Sequence, residues 1–181
     1  MSRLTIPTRD AVPAASSPLI DAVEKSLGIV PNMFRLVGQS PAALEGLLGI
    51  NGALGRALDA ATRERIALAV AQINGCDYCL SAHTYLGLNL AKLDATEIDR
   101  NRRGGSSDPR ANAAVAFAAK VATERGRVSD ADIAAVKLAG FTEAQIIEIV
   151  GLVAVNFYTN FINNVAETDI DFPLVRAAQA A

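Results

Sequence analysis

Cys76-Asp77-Tyr78-Cys79 sets two thiols three residues apart in a chain that has only 2 cysteines. In a helix at about 100° per residue they project from nearly one face, within disulfide reach. Two cysteines scattered at random would fall at this separation about one time in a hundred, so the pair reads as a dithiol that opens and closes rather than as two small core hydrophobes. His83, the single histidine, lies four residues beyond Cys79, one turn along the same face, where an imidazole accepts the thiol proton or stabilises the thiolate. Asn74-Gly75 is a strong turn dipeptide and should fold its flanking helices into an αα-hairpin. Glu64, about ten residues before that turn, then comes level with His83, about eight beyond it. A carboxylate on one ring nitrogen sets the tautomer and makes the other nitrogen the better base, which completes a Cys-His-Glu relay.

Other uses of the same residues compete with this reading. Two thiols and an imidazole are good zinc ligands, but a closed structural site normally takes four N/S ligands, and the chain has no other Cys or His, leaving Glu64 as the only fourth candidate in the stripe. Glu64 sits between Arg63 and Arg65, so a solvated helix face is its alternative. Which thiol ionises is open on these grounds, because Cys76 has the helix N-terminus beside it and Cys79 has His83.

The elements that must position these groups are helical throughout, and the fold class expected is all-α. Apolar residues recur at helical spacing, alanine is abundant, and Val/Thr/aromatic strand runs are missing. Pro18 opens a helix that ends at Gly28, and Pro31 to Val37 makes a short one ending at Gly38. Ser40-Pro41 starts a helix reaching about Leu58. Asp59 caps the segment that carries Glu64 and stops at Asn74-Gly75, and a further helix starts at Cys76. Asp94 caps a polar helix to about Arg102. Arg103 to Pro109 forms a loop, with an Ala-rich helix beyond it to about Arg125 and a short helix capped by Ser129. Thr142 with Gln145 makes a capping box for a long helix ending near Asn164. Phe157, Tyr158 and Phe161 on that helix read as core first, or as a subunit interface. Residues 1–17 read as an ordered N-terminal arm and 18–181 as a single helical domain, with its core motif at 59–88.

The composition closes off several classes. At 181 residues, with 51% hydrophobic and 20% charged, the chain buries a core and is not disordered. A net charge of -2 offers no global field for nucleic acid or an anionic membrane, so neither is expected as a partner. Two cysteines exclude a disulfide-stapled secreted scaffold and point to a reducing, cytoplasmic setting. The N-terminus lacks the apolar stretch of a secretory signal, and Ile146 to Phe161, interrupted by Glu148, Asn156 and Asn160, falls short of a membrane span.

Glu64, eleven residues, Cys76, two residues, Cys79, three residues and His83 together form a signature that resembles the alkylhydroperoxidase AhpD core within the carboxymuconolactone decarboxylase-like superfamily. Pro31-Asn32-Met33-Phe34-Arg35, Asn74-Gly75-Cys76 to Cys79-Leu80 and the segment from Asn163 to Pro173 resemble its peroxidase-related branch. The resemblance implies an AhpD-like helical bundle with the CxxC-bearing helix in an αα-hairpin, a homo-oligomer with active sites near subunit contacts, and thiol-dependent reduction of a hydroperoxide in antioxidant defence. By position it makes Cys79 the attacking thiol, Cys76 the partner that closes the disulfide, His83 the base and Glu64 its relay. Where some members carry a second histidine inside the pair, this chain has Tyr78. The decarboxylase that names the superfamily lacks the pair, which argues against a lyase here. Nothing in the chain binds a flavin or nicotinamide, so no cofactor is expected and the reductant is an external dithiol or a thiol protein such as a peroxiredoxin. A thiol-disulfide adaptor that reduces a partner peroxidase is the competing activity, with a zinc-stabilised binding module behind it.

Overall fold

The computed structural model describes residues 2–178, and among them are nine α-helices and no strand. In order these are α1 (Ser17–Leu27), α2 (Asn32–Val37), α3 (Pro41–Leu54), α4 (Ala60–Ile73), α5 (Asp77–Asn89), α6 (Ala95–Arg102), α7 (Pro109–Thr123), α8 (Asp130–Leu138) and α9 (Glu143–Ala166). Most start where a side chain takes an orphan backbone N–H. Asp59 accepts from Thr62 N at 2.8 Å, Asp94 from Glu97 N at 2.8 Å and Asp108 from Ala111 N at 2.7 Å. Ser129 with Asp132, and Thr142 with Gln145, form complete capping boxes.

Helix α4 is the axis of the molecule. It packs against α5, α6, α7 and α9, and every residue from Ile66 to Ala71 is buried, the pattern of a helix enclosed on all sides. Its alanines at 67, 69 and 71 present little bulk to those neighbours. Ile66, Ala69 and Val70 join a core shared with α7, α8 and α9, while Leu68 and Ala71 join a second core with α1, α2, α3 and α5. The carboxylate of Glu97 ties the loop after α6 back onto the bundle. It accepts from Arg65 Nε at 2.8 Å, from Asn101 at 3.1 Å, from Ser107 N at 2.8 Å and from the hydroxyls of Ser106 and Ser107. Burial would raise its pKa, but these donors outweigh burial and hold it well below the ordinary carboxylate range.

Three sequence expectations need correction. Helix α3 stops at Leu54 rather than near Leu58: glycines at 52 and 55 weaken the last turn, and Leu58 turns into the core while its carbonyl takes the Arg63 guanidinium. Cys76 is not the first helical residue of α5 but its N-cap, with extended backbone at φ −92°, ψ 95°. Of the three aromatic residues on α9, Phe157 packs on the core, but Tyr158 and Phe161 stand at the surface, 39% and 51% exposed. A 24-residue helix has an outer edge as well as an inner one, and the Phe157–Phe161 ring pair at 5.2 Å runs along it.

The expectation that Ile146 to Phe161 falls short of a membrane span is also corrected for the whole helix: the 24 residues of α9 have the length and apolar content of one, although the inner face of α9 packs into the core. Its inner face buries Ile149, Leu152 and Val153 together with the side chains of Asn156, Asn160 and Asn163. Glu167 ends it in the left-handed region at φ 46°, and the chain then folds back over the N-terminal end of α5.

Candidate active site

The turn at Asn74-Gly75 builds the site. Gly75 adopts φ +61°, a conformation glycine reaches without the Cβ penalty, and it reverses the chain so that α4 and α5 lie side by side. Cys76 then caps α5 with its own sulfur, which accepts from Cys79 N at 3.2 Å. The two Cα atoms stand 5.3 Å apart and the sulfurs are paired as a disulfide, well inside the usual separation for such bonds.

One helical turn on, His83 Nδ1 meets Glu64 Oε2 at 2.8 Å across the hairpin. Both side chains are partly buried, 23% and 20% exposed, so the register read from the sequence is the one the fold adopts and the solvated alternative for Glu64 is set aside. Its neighbours on α4 leave in other directions: Arg63 to the Leu58 carbonyl and Arg65 to Glu97. The four residues Cys76, Cys79, His83 and Glu64 are thus brought together, but not equivalently. Cys76 is fully enclosed, whereas Cys79, His83 and Glu64 line one cavity of about 450 Å³. The walls of that cavity are mostly apolar, with Leu27, Met33, Phe34, Leu54, Leu86 and Phe172 among them. The two sulfurs bond each other, and among the described residues no group of three or more His, Cys, Asp or Glu side chains is arranged to hold a metal ion.

The structure adds residues that the sequence reading passed over. Tyr78, between the cysteines, donates to Asp171 Oδ1 at 2.8 Å and accepts from Met33 N at 3.1 Å, while Asp171 Oδ2 accepts from Asn32 N at 2.7 Å. Burial pushes the Tyr78 hydroxyl well above its ordinary value, the Met33 amide opposing this and the Asp171 carboxylate reinforcing it. The phenol therefore clamps the tail to α2 and stays protonated. Asp77 holds the tail a second time, accepting from Ala177 N at 2.8 Å and pairing with Arg176 at 3.2 Å. Asn163 of α9 donates from Nδ2 to Cys79 Sγ at 3.3 Å. A polar stripe at 156, 160 and 163 in an apolar helix was the available signal for it, since buried amides need partners. Arg102, the last residue of α6, binds Gln72 Oε1 and the Arg176 carbonyl.

An all-helical bundle that carries a cysteine pair at a helix start, a histidine one turn on and a carboxylate from the adjoining hairpin arm defines a class of thiol-bearing proteins. Residues 41–124 match the model of the Carboxymuconolactone decarboxylase family. The "alkylhydroperoxidase AhpD core: uncharacterized peroxidase-related protein" from Ralstonia eutropha JMP134 is similar with a TM-score of 0.82 and 26% identity, over 94% of this chain and 92% of that one. An uncharacterized peroxidase-related protein from Silicibacter sp. TM1040 shares the fold at a TM-score of 0.79 and 24% identity, over 93% and 91% of the two chains. The debrominase Bmp8, solved in complex with 2,3,4-tribromopyrrole, shares it at 0.77 and 18% identity, over 94% of each chain. No curated protein matches the sequence. The family match therefore covers the segment that carries the cysteine pair, His83 and Glu64, and over nearly the whole chain the fold is that of the AhpD-core structures, a fold that carries more than one activity among its members.

Proposed function

We propose that the protein is a thiol-dependent peroxidase that reduces organic hydroperoxides through the Cys76–Cys79 pair. The observation that carries this reading is the position of Cys79 on an apolar cavity shared with the His83–Glu64 pair, while Cys76 is sealed behind it. Cys79 as a residue is only 3% exposed, which suits a small lipophilic molecule entering the cavity better than a docked protein disulfide and favours the peroxidase over the adaptor.

In the reduced enzyme His83, oriented by Glu64, takes the proton of Cys79. The thiolate attacks the terminal oxygen of R–O–OH; a sulfur–oxygen bond forms, the O–O bond breaks, and the alkoxide leaves with the proton from His83 as the alcohol. Cys79 is now a sulfenic acid. The Cys76 thiol attacks that sulfur, the disulfide forms and water leaves. An external dithiol, supplied by a reducing compartment, returns both thiols by exchange through a mixed disulfide. The homo-oligomer that the resemblance implies would cover the exposed apolar edge of α9 at Tyr158, Phe161 and Val165.

Cumene hydroperoxide consumption with dithiothreitol as reductant tests the reading. It should fall to background in Cys79→Ser, and Cys76→Ser should trap a dimedone-reactive sulfenic acid at Cys79. Full activity in both variants removes the mechanism. Slow peroxide turnover beside fast disulfide exchange would assign the adaptor role, and thiol consumption by a brominated pyrrole but not by peroxide would assign a dehalogenase.

A further inference from the structure

We infer that Asn163 is the donor that stabilises the Cys79 thiolate, acting directly on the reacting sulfur. Its Nδ2 stands 3.3 Å from Cys79 Sγ, and the residue is only 3% exposed. A disulfide sulfur carries no proton, so the amide must turn its NH2 toward it. The consequence is visible at the other end of the amide: Asn163 Oδ1 is buried with no partner. Leaving a buried acceptor unsatisfied is costly, and an apolar side chain would fill the same space without that cost. What the amide contributes must therefore lie at the sulfur.

Once Cys79 is reduced and ionised, the N–H···S contact becomes a charge-assisted hydrogen bond, roughly twice as strong as a neutral one, while the carbonyl is no worse off. The contact thus favours the thiolate over both the thiol and the disulfide. It is also held in place. Asn160 Oδ1 accepts from Asn74 Nδ2 at 2.9 Å, and Asn164 Nδ2 donates to the Asn74 carbonyl at 2.9 Å, so the last turns of α9 are fastened to the very turn that presents the cysteines. The titratable and charged groups around the cavity come from α4 (Arg63, Glu64) and α5 (Tyr78, His83, Tyr85), with Asp171 of the tail reaching it only through the Tyr78 hydroxyl. Those that α1, α2, α3 and α9 contribute to the lining are uncharged.

This deepens the peroxidase reading, which makes Cys79 the attacking thiol, but its test needs no peroxide. In a Cys76→Ser chain the Cys79 thiolate is titrated by its absorbance at 240 nm, with Asn163 intact and with Asn163→Leu or Asn163→Asp. Loss of the donor in Asn163→Leu should raise the midpoint by about one pH unit, which is about tenfold less thiolate below it. Asn163→Asp should raise it further, because an ionised carboxylate donates nothing and repels the sulfur anion. A residue that only fills space would shift neither in this order. In the chain with Asn163 intact, the side-chain amide resonance of Asn163 should titrate with the thiolate, a measurement that stands even where a variant fails to fold. Unmoved midpoints in the folded variants, or an amide resonance indifferent to ionisation, overturn the inference. Peroxide consumption with unmoved midpoints would spare the peroxidase reading alone, and shifted midpoints without peroxide consumption would spare the Asn163 assignment alone.

Discussion

Removing the Glu64 carboxylate tests whether the hairpin's register does chemistry. Its oxygen is 2.8 Å from His83 Nδ1, and both side chains are partly screened by water, 20% and 23% exposed, so the low end of the range for a hydrogen bond to a charged group applies, about 2 kcal/mol. Gln keeps an acceptor and should hold the ring, forfeiting only the charge; that difference is about 1 kcal/mol, or about fivefold in the rate at which a hydroperoxide oxidises Cys79. Glu64→Ala forfeits both and should cost about 30-fold, while His83→Ala removes the base itself and should cost roughly 10²–10⁴-fold. The decisive variant is the double one. If Glu64 acts through the imidazole, adding Glu64→Ala to His83→Ala should change little, a strong departure from additivity. The assay is an anaerobic single turnover: pre-reduced protein is mixed with one equivalent of cumene hydroperoxide, quenched at intervals, and its free thiols counted. Thermal melts run alongside confirm that each variant is folded. Should Glu64→Ala cost the same factor with His83 present and with it absent, the relay is wrong.

Because the cavity wall is largely aliphatic and aromatic, each methylene added along a series of straight-chain alkyl hydroperoxides should lower KM about fourfold, the equivalent of about 0.8 kcal/mol per buried CH₂, until the space is filled; a flat series would show that the chain does not enter the cavity. Glu97, held below its ordinary value of 4.5, contributes stability that is fully present above that pH and is lost as the pH falls below it. Glu97→Gln should therefore lower Tm at pH 7 by about 6–12 °C, for about 3 kcal/mol with Arg65 left unpaired, and should flatten the acid limb below pH 4.5. Parallel pH profiles of Tm for the two proteins would contradict the assignment.

Much of this fold was legible because its signals are local. The caps at Asp59, Asp94, Ser129 and Thr142 and the turn at Gly75 sit within a few residues of the backbone groups they serve, so short sequence windows contain them. The facing of Glu64 and His83 was legible for the same reason: one tight turn and a fixed rise per residue leave little freedom in an antiparallel helix pair. Where a local rule met tertiary demand it gave way. The capped start at Ser40-Pro41 leaves the end of α3 open, and the burial of Leu58 together with the glycines at 52 and 55 ends the helix at Leu54. Cys76 looked like the first residue of a helix and became its cap, because its sulfur was needed by the backbone N–H of Cys79.

Cysteine pair, histidine, carboxylate and the hairpin that aligns them were written into about twenty consecutive residues, and periodicity alone is enough to set their order along one stripe. Tertiary packing decided which sulfur meets the cavity and which is enclosed, and it brought Asn163 to Cys79 across a sequence separation of 84 residues. It also laid the tail over α5 through Asp77 and Tyr78. Such contacts depend on how every helix seats against α4 at once, and no window of sequence holds that information, because the approach of two distant side chains is set by the volumes of all the residues packed between and around them.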